Sequence, residues 1–154
     1  MANEYIQNEV KKVITNSAFE FPLNHAMAAV WIMANFKGDN LKIFDMRKSS
    51  ALVDYSVMAT AQNATQARAM VDEISSNLKN QGASMVSYEG YESADWILLD
   101  TGDIMVHVFN GHARDVYDLD MVYAKNPQVK IPEEFYFGKP TQISGDKPDL
   151  KGYF

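Results

Sequence analysis

Residues 96–109, WILLDTGDIMVHVF, decide the fold of this chain, because two apolar runs flank a short polar turn. The turn spans residues 100–103, and each run has the length of an ordinary strand, so the stretch predicts a β-hairpin. A two-residue loop of Thr101 and Gly102 then fixes the strand register. The predicted cross-strand pairs are Asp100 with Asp103, Leu98 with Met105, and Trp96 with His107.

Side chains alternate between the two faces of each predicted strand. One face is wholly aliphatic and is predicted to pack on the core: Ile97, Leu99, Ile104, Val106 and Val108. The other carries aromatic, carboxylate and imidazole groups: Trp96, Leu98, Asp100, Asp103, Met105, His107 and Phe109. This mixed face needs a covering element or a partner. A three-residue loop would change the pairings and the sorting of the faces.

The rest of the chain predicts helices and strands around this hairpin. Helices are predicted at 4–16, 22–37 and 64–80, strands at 41–46, 52–60 and 85–88, and one or two helical turns within 111–123. The second helix is apolar nearly all round, which predicts burial, with His25 at its surface or as a cap. This order predicts an α/β or α+β sheet layered with helices.

Negative charge is concentrated in residues 84–123 of the chain. The net charge is −6, and residues 84–123 carry eight acids against a single cation, Arg114. Such a block cannot release counterions from phosphates, which argues against a bare nucleic-acid partner. A basic protein surface is the better match. The alternative is a solvated acidic surface that only confers solubility.

Several kinds of site are excluded by what the sequence lacks. Because there is no cysteine, the chain has no disulfide, zinc–thiolate site, iron–sulfur cluster or cysteine nucleophile. No glycine spacing fits a phosphate-binding loop. The first residues do not resemble a signal peptide, and the most apolar window, 23–36, is too short to span a membrane, so the protein is predicted to be cytoplasmic. Asp100, Asp103 and His107 could form a metal site, but acids at these positions are common turn formers.

The last thirty residues predict an extended tail. Four of the five prolines lie there: Pro127, Pro132, Pro140 and Pro148. Proline excludes a long helix. Aromatic residues at 135–137 and 153–154 could pack the tail onto the body.

The segment 38–123 resembles the ribosomal silencing factor family, also called the Iojap family. The residues that carry the resemblance are Ala51 to Tyr55, Gln66, Ala69, Tyr88 to Gly90, Trp96 to Asp100, Gly102, Asp103, Val106 to Phe109, Arg114, Tyr117 and Leu119. On this basis the chain divides into N-terminal helices at 1–37, the second packing on the core, an Iojap-like core at 38–123, and the proline-rich tail at 124–154.

The resemblance implies a mixed sheet flanked by helices, related to the nucleotidyltransferase fold but without its catalytic residues. It implies binding to the large ribosomal subunit through large-subunit ribosomal protein fourteen. A factor bound there blocks subunit joining and represses translation in nutrient limitation. It also implies a homodimer, and no cofactor, metal, membrane or sequence-specific nucleic-acid partner. A nucleotidyltransferase-like enzyme using Asp45, Asp54 or Asp100 with magnesium, and a purely dimeric scaffold, are the alternatives.

The predicted partner-binding residues combine the mixed face with the family motif. They are Trp96, Leu98, Asp100, Asp103, Met105, His107, Arg114, Tyr117, Asp54 and Tyr55. Trp96 could instead be a core aromatic, His107 a structural histidine, and Asp54 a strand cap. Arg114 is predicted to form an ion pair with Asp118 or Asp115 at helical spacing.

Overall fold

A five-stranded mixed sheet organises the chain in the computed structural model, which describes residues 3–83 and 86–136. The strands are β1 (Asp39–Asp45), β2 (Tyr55–Ala61), β3 (Ser87–Glu89), β4 (Trp96–Asp100) and β5 (Ile104–Asn110). The helices are α1 (Glu4–Ile14), α2 (Leu23–Asn35), α3 (Ala64–Asn80), α4 (Ala113–Tyr117) and α5 (Leu119–Val122).

The strand order is β1-β2-β5-β4-β3, with β2 and β5 parallel and every other pair antiparallel. Parallel neighbours need a crossover connection, and here it runs through α3 before the chain returns by β3 and β4. The mixed sheet with flanking helices confirms the predicted α+β class.

One face of the sheet packs on α2 and α3, and α1 packs on α2, which together form the main core. Every residue of α2 from His25 to Ala34 is buried, as its all-round apolar pattern predicts. The prediction of a surface or capping position for His25 was wrong, because the residue is only 4% exposed, with its ring 5.0 Å from that of Phe21. Burial lowers the pKa of His25.

The hairpin is present, but its predicted register was wrong by two residues. The observed pairs are Trp96 with Phe109, Ile97 with Val108, Leu98 with His107, Leu99 with Val106, and Asp100 with Met105. Thr101 donates its backbone N–H to the Ile104 carbonyl at 3.1 Å, so Gly102 and Asp103 form the loop. A shift of two residues preserves the alternation, so the predicted faces hold. Asp103 leaves the mixed face and sits in the turn.

The two edges of the sheet differ. At the β1 edge, the Asp45 N–H donates to the Pro127 carbonyl and the Val129 N–H donates to the Ile43 carbonyl, both at 2.8 Å. The segment 127–129 therefore covers β1, and Phe135 beyond it is buried. β3 forms the opposite edge. The predictions for Met85, Phe137, Pro140, Pro148, Tyr153 and Phe154 lie outside the described residues.

Candidate functional site

The second face of the sheet carries the mixed set of side chains. Strand register aligns them in rows across the sheet. The first row runs Glu89, Leu98, His107, Met58 and Lys42, and the second runs Ser87, Asp100, Met105, Ser56 and Phe44. Each row therefore begins with an acidic or polar residue at the β3 edge.

The short helices α4 and α5 cover only part of this face. Over β1, the Tyr123 ring lies 5.4 Å from the Phe44 ring, and Asp120 accepts a 2.9 Å hydrogen bond from Lys42. Over β4 and β3, by contrast, Leu98 and Asp100 are half-buried and Glu89 is exposed. We call the region of Glu89, Leu98, Asp100 and Met105 the open half of the second face.

An aromatic cluster separates the covered part from the open half. Trp96 lies at its centre, with its ring centroid 5.2 Å from Phe109, 4.8 Å from Tyr117 and 5.9 Å from His107. The indole N–H donates a 3.1 Å hydrogen bond to Nδ1 of His107. Trp96 is half-buried, and Tyr117 is 50% exposed at the rim. The cluster therefore has both a packed side and a solvent side, as buried aromatics with a polar atom often do.

His107 is held as a neutral imidazole. It is only 3% exposed, and burial, followed by the charge of Arg114, lowers its pKa to about 4. Because Nδ1 accepts from Trp96, we assign the proton to Nε2. Within residues 3–83 and 86–136, Nε2 has no hydrogen-bond partner, and neither does Oγ of Ser56 on the neighbouring strand.

This burial predicts a pH-dependent stability. The unfolded chain protonates His107 near pH 6.5, whereas the native state resists protonation to about pH 4. Neutral His107 therefore stabilises the native state in full above pH 6.5. As the pH falls from 6.5 towards 4, the free energy of unfolding decreases, by about 2 kcal/mol between pH 7 and pH 4.5. Burial also lowers the pKa of His25, so protonation of His25 at low pH destabilises the native state as well. Urea unfolding should show that His107→Gln loses this part of the dependence, and that exposed His112→Gln keeps it. Equal profiles would contradict the assignment.

Arg114 has a different partner from the one predicted. Its guanidinium forms a bidentate pair with Asp120, at 2.9 and 3.0 Å, and not with Asp118 or Asp115. It also donates to the Asn40 carbonyl at 2.6 Å and to Thr60 Oγ1 at 3.1 Å. With only 5% of the residue exposed, Arg114 joins the α4–α5 segment to β1 and β2.

Asp120 completes this ion-pair network. Hydrogen bonds from Arg114, together with one from Lys42, hold the pKa of its carboxyl well below the usual range. The carboxylate therefore stays ionised throughout the physiological pH range. A direct role for Arg114 in partner binding stays a prediction; the observed contacts make it the residue that positions α4 and α5.

The remaining predicted residues lie at the hairpin-turn end of the sheet. The Asp54 N–H donates to the Asp103 carbonyl at 2.9 Å, which places both beside the turn. Tyr55 is buried with the residues of the helix-covered face, and the Arg47 guanidinium lies 5.4 Å from its ring. These residues are therefore not part of the cluster around Trp96.

Sequence reasoning missed three residues of the site: Asp120, Phe109 as the partner of Trp96, and Glu89. Glu89 could have been found by extending the alternation across the third strand, since it pairs directly with Leu98. In the described ranges, no group of three or more His, Asp or Glu side chains is placed to hold a metal ion. No helix in those ranges has the length and apolar character needed to cross a bilayer.

The fold and the site define an α+β protein whose single mixed sheet has one helix-covered face and one half-open face that is acidic and aromatic. A family model described as "Ribosomal silencing factor during starvation" matches residues 20–149. The chain belongs to this family of ribosomal silencing factors.

Individual relatives agree with this assignment. The chain is 32% identical over 95 residues to the ribosomal silencing factor RsfS of Chromobacterium violaceum, covering 62% of this chain and 78% of that protein. It is 25% identical over 113 residues to the chloroplastic protein Iojap of Zea mays, covering 71% of this chain and 48% of the maize protein. A crystal structure of a Chromobacterium violaceum protein aligns with a TM-score of 0.60 at 25% identity, covering 92% of this chain and 96% of the other.

Proposed function

We propose that this protein silences ribosomes by binding the large ribosomal subunit through large-subunit ribosomal protein fourteen and sterically blocking subunit joining, which represses translation in nutrient limitation. The observation that carries the proposal is the half-open second face, where apolar and acidic side chains lie side by side. Membership of a family of ribosomal silencing factors supports the ribosome as the partner, and the geometry of this face supports a contact with protein.

Charge on the open half favours a basic protein surface. Glu89 of β3 pairs with Leu98, and Asp100 lies two residues further along β4 on the same face as Leu98. Residues 80–113 contain no lysine or arginine. Opposite charges on a partner would speed association and fix its orientation. The same acidic block would be repelled by exposed phosphates, so the contact is proposed to be with protein and not with bare RNA.

The α4–α5 segment contributes an apolar rim beside this face. Four of its side chains are large, apolar and exposed: Val116 at 74%, Tyr117 at 50%, Met121 at 68% and Val122 at 67%. Clustered exposed apolar groups of this kind mark interaction sites. An interface with an apolar centre and a charged edge is typical of protein–protein contacts.

The proposed action requires no turnover. Binding alone would prevent subunit joining, so no catalytic residue, metal or cofactor takes part, and the site of action is the cytoplasm. Relatedness to an enzyme fold does not imply catalysis. The homodimer implied by the family resemblance is proposed to form in isolation, as a separate state from the ribosome-bound one.

The test uses purified protein, isolated large subunits and a sucrose gradient. We expect the chain to co-migrate with the large subunit and to reduce the yield of joined ribosomes when small subunits are added. Glu89→Lys should weaken co-migration about tenfold, because it places a like charge against a basic partner and leaves intact the hydrogen bond from the Gly102 N–H to Asp100 that holds the hairpin loop. Glu20→Lys makes the same charge change at an exposed residue before α2 and should bind normally. Wild-type protein left at the top of the gradient would refute the proposal.

A further inference from the structure

Among the residues that the structure describes, β3 is an edge strand whose outer side has no neighbouring strand. All three of its residues, Ser87 to Glu89, are exposed, and β3 pairs with β4 on one side only. The opposite edge is covered by residues 127–129. A strand at an open edge offers a row of backbone N–H and C=O groups to another chain.

Helix α3 fixes this edge in place. The hydroxyls of Tyr88 and Tyr91 donate to the two carboxylate oxygens of Asp72, at 3.0 and 2.7 Å, and their rings stack at 5.3 Å. Arg68 donates to the backbone carbonyls of Tyr91 and Glu92, at 3.0 and 2.6 Å. A three-residue strand would be marginal alone, but here four hydrogen bonds between α3 and residues 88–92 hold the strand and the loop after it in position. The strand is therefore already ordered in the free protein, and binding of a partner carries no further entropy cost for ordering it.

The turn after β3 is fixed as well. Gly90 has φ +77°, and a Cβ placed there would lie 2.2 Å from the Trp96 carbonyl oxygen. Only glycine allows the chain to pass this close to the start of β4. The edge strand is therefore connected rigidly to the strand that carries Trp96.

The edge lacks the lysine and proline residues that commonly block strand addition. Its local charge is instead uniformly negative, from Glu89, Glu92, Asp95 and Asp100. Arg68 of α3 contacts the loop after β3, but its guanidinium is engaged with backbone carbonyls there. This charge would attract a basic segment, and it would oppose the pairing of two copies of the same edge, which would bring acidic side chains together.

We propose that β3 accepts an extended basic polypeptide segment as an additional strand of the sheet. Alternate side chains of the added strand would meet Glu89 on the second face and Tyr88 on the helix-covered face, because paired residues share a face. The matching segment therefore carries lysine or arginine at every second position. This strand addition goes beyond the proposed function, since it depends on no ribosomal component.

Three labelled seven-residue peptides test the proposal on the full chain. The first alternates threonine and lysine, the second replaces lysine by glutamate, and the third is the lysine peptide with alternate backbone nitrogens methylated. We expect the lysine peptide to bind and to slow amide hydrogen exchange at Ser87 to Glu89. Methylation should weaken binding about tenfold, because it removes strand hydrogen bonds without changing charge. The glutamate peptide should not bind.

A protein variant adds a second readout. Glu89→Lys should reverse the preference between the lysine and glutamate peptides, whereas Glu20→Lys should leave it unchanged. Equal binding of the methylated and unmethylated peptides, no binding of the lysine peptide, or protection at other residues would overturn the proposal. Protection of the β3 amides that rises with protein concentration alone would assign the edge to a second copy and would also overturn it. None of these outcomes depends on ribosome binding, so each proposal can fail without the other.

Discussion

Replacing Arg114 with alanine is expected to lower the free energy of unfolding by about 3 kcal/mol, measured by urea denaturation at pH 7. The substitution removes four hydrogen bonds, and of the two ion pairs that Asp120 forms within residues 3–83 and 86–136 it leaves the one with Lys42. Removing one partner of a buried pair is costly because the other charge stays desolvated. The expected value lies at the low end of the usual range, because 25% of the Asp120 side chain is exposed.

Arg47→Ala provides a matched control. Arg47 also contacts a carboxylate through two nitrogens, at 3.0 and 2.8 Å from Asp45, but 58% of its side chain is exposed. Exposed ion pairs contribute little to stability, so this variant should unfold almost as the wild type does. If both variants lost equal stability, or neither did, the network around Asp120 would not be what holds α4 and α5 on the sheet.

The hairpin shows how far the sequence determines the fold. Its strands and faces were predictable, because period-two alternation survives any even shift in register. The register itself was not predictable, because it depends on which residues form the loop. Here the Thr101 hydroxyl accepts the Ile104 N–H at 3.3 Å and Asp100 accepts the Gly102 N–H at 2.8 Å, which moves the loop to Gly102 and Asp103. Side-chain hydrogen bonds of this kind stabilise alternative turns by similar amounts, so the sequence alone does not select one of them.

The ion-pair partner of Arg114 illustrates a different limit of prediction from sequence. Helical spacing places Asp115 and Asp118 near Arg114 only if the helix continues. The helix instead ends at Asp118, whose φ of 50° is left-handed, and the chain turns so that Asp120 faces back towards the guanidinium. No glycine or proline marks this break, so the sequence pattern contains no signal for it.

The candidate site was predictable only within one hairpin. Trp96, Leu98, Met105 and His107 share a face because they alternate on two adjacent strands. The position of Tyr55 depends on the parallel pairing of β2 with β5, which brings Tyr55 opposite Ile104 and turns it to the helix-covered face. Pairing across such a sequence separation follows from the tertiary fold, and the prediction from a family motif could not specify which face the motif residues occupy.

Replacing Trp96 with alanine is expected to weaken binding to the large subunit by about thirtyfold or more, the effect of losing a central aromatic hot spot of about 2 kcal/mol. The indole contacts Phe109, Tyr117 and His107, so its loss would remove the aromatic support at the border of the open half. The loss would also leave Nδ1 of buried His107 without its donor. Both changes would disorder the surface offered to the partner.

The measurement must separate lost binding from lost folding, since a tryptophan truncation in a packed cluster also destabilises the protein, by about 3 kcal/mol. Leu78→Ala is the matched control, because Leu78 is fully buried on α3, beneath the opposite face, and its truncation costs a similar amount of stability. Both variants are compared at a temperature where circular dichroism shows each to be folded, and binding is followed by co-sedimentation with large subunits across a concentration series. The proposed binding face requires Trp96→Ala to lose affinity while Leu78→Ala keeps it. If the two variants bound equally well, Trp96 would be a structural aromatic and the contact with the ribosomal protein would lie on another surface.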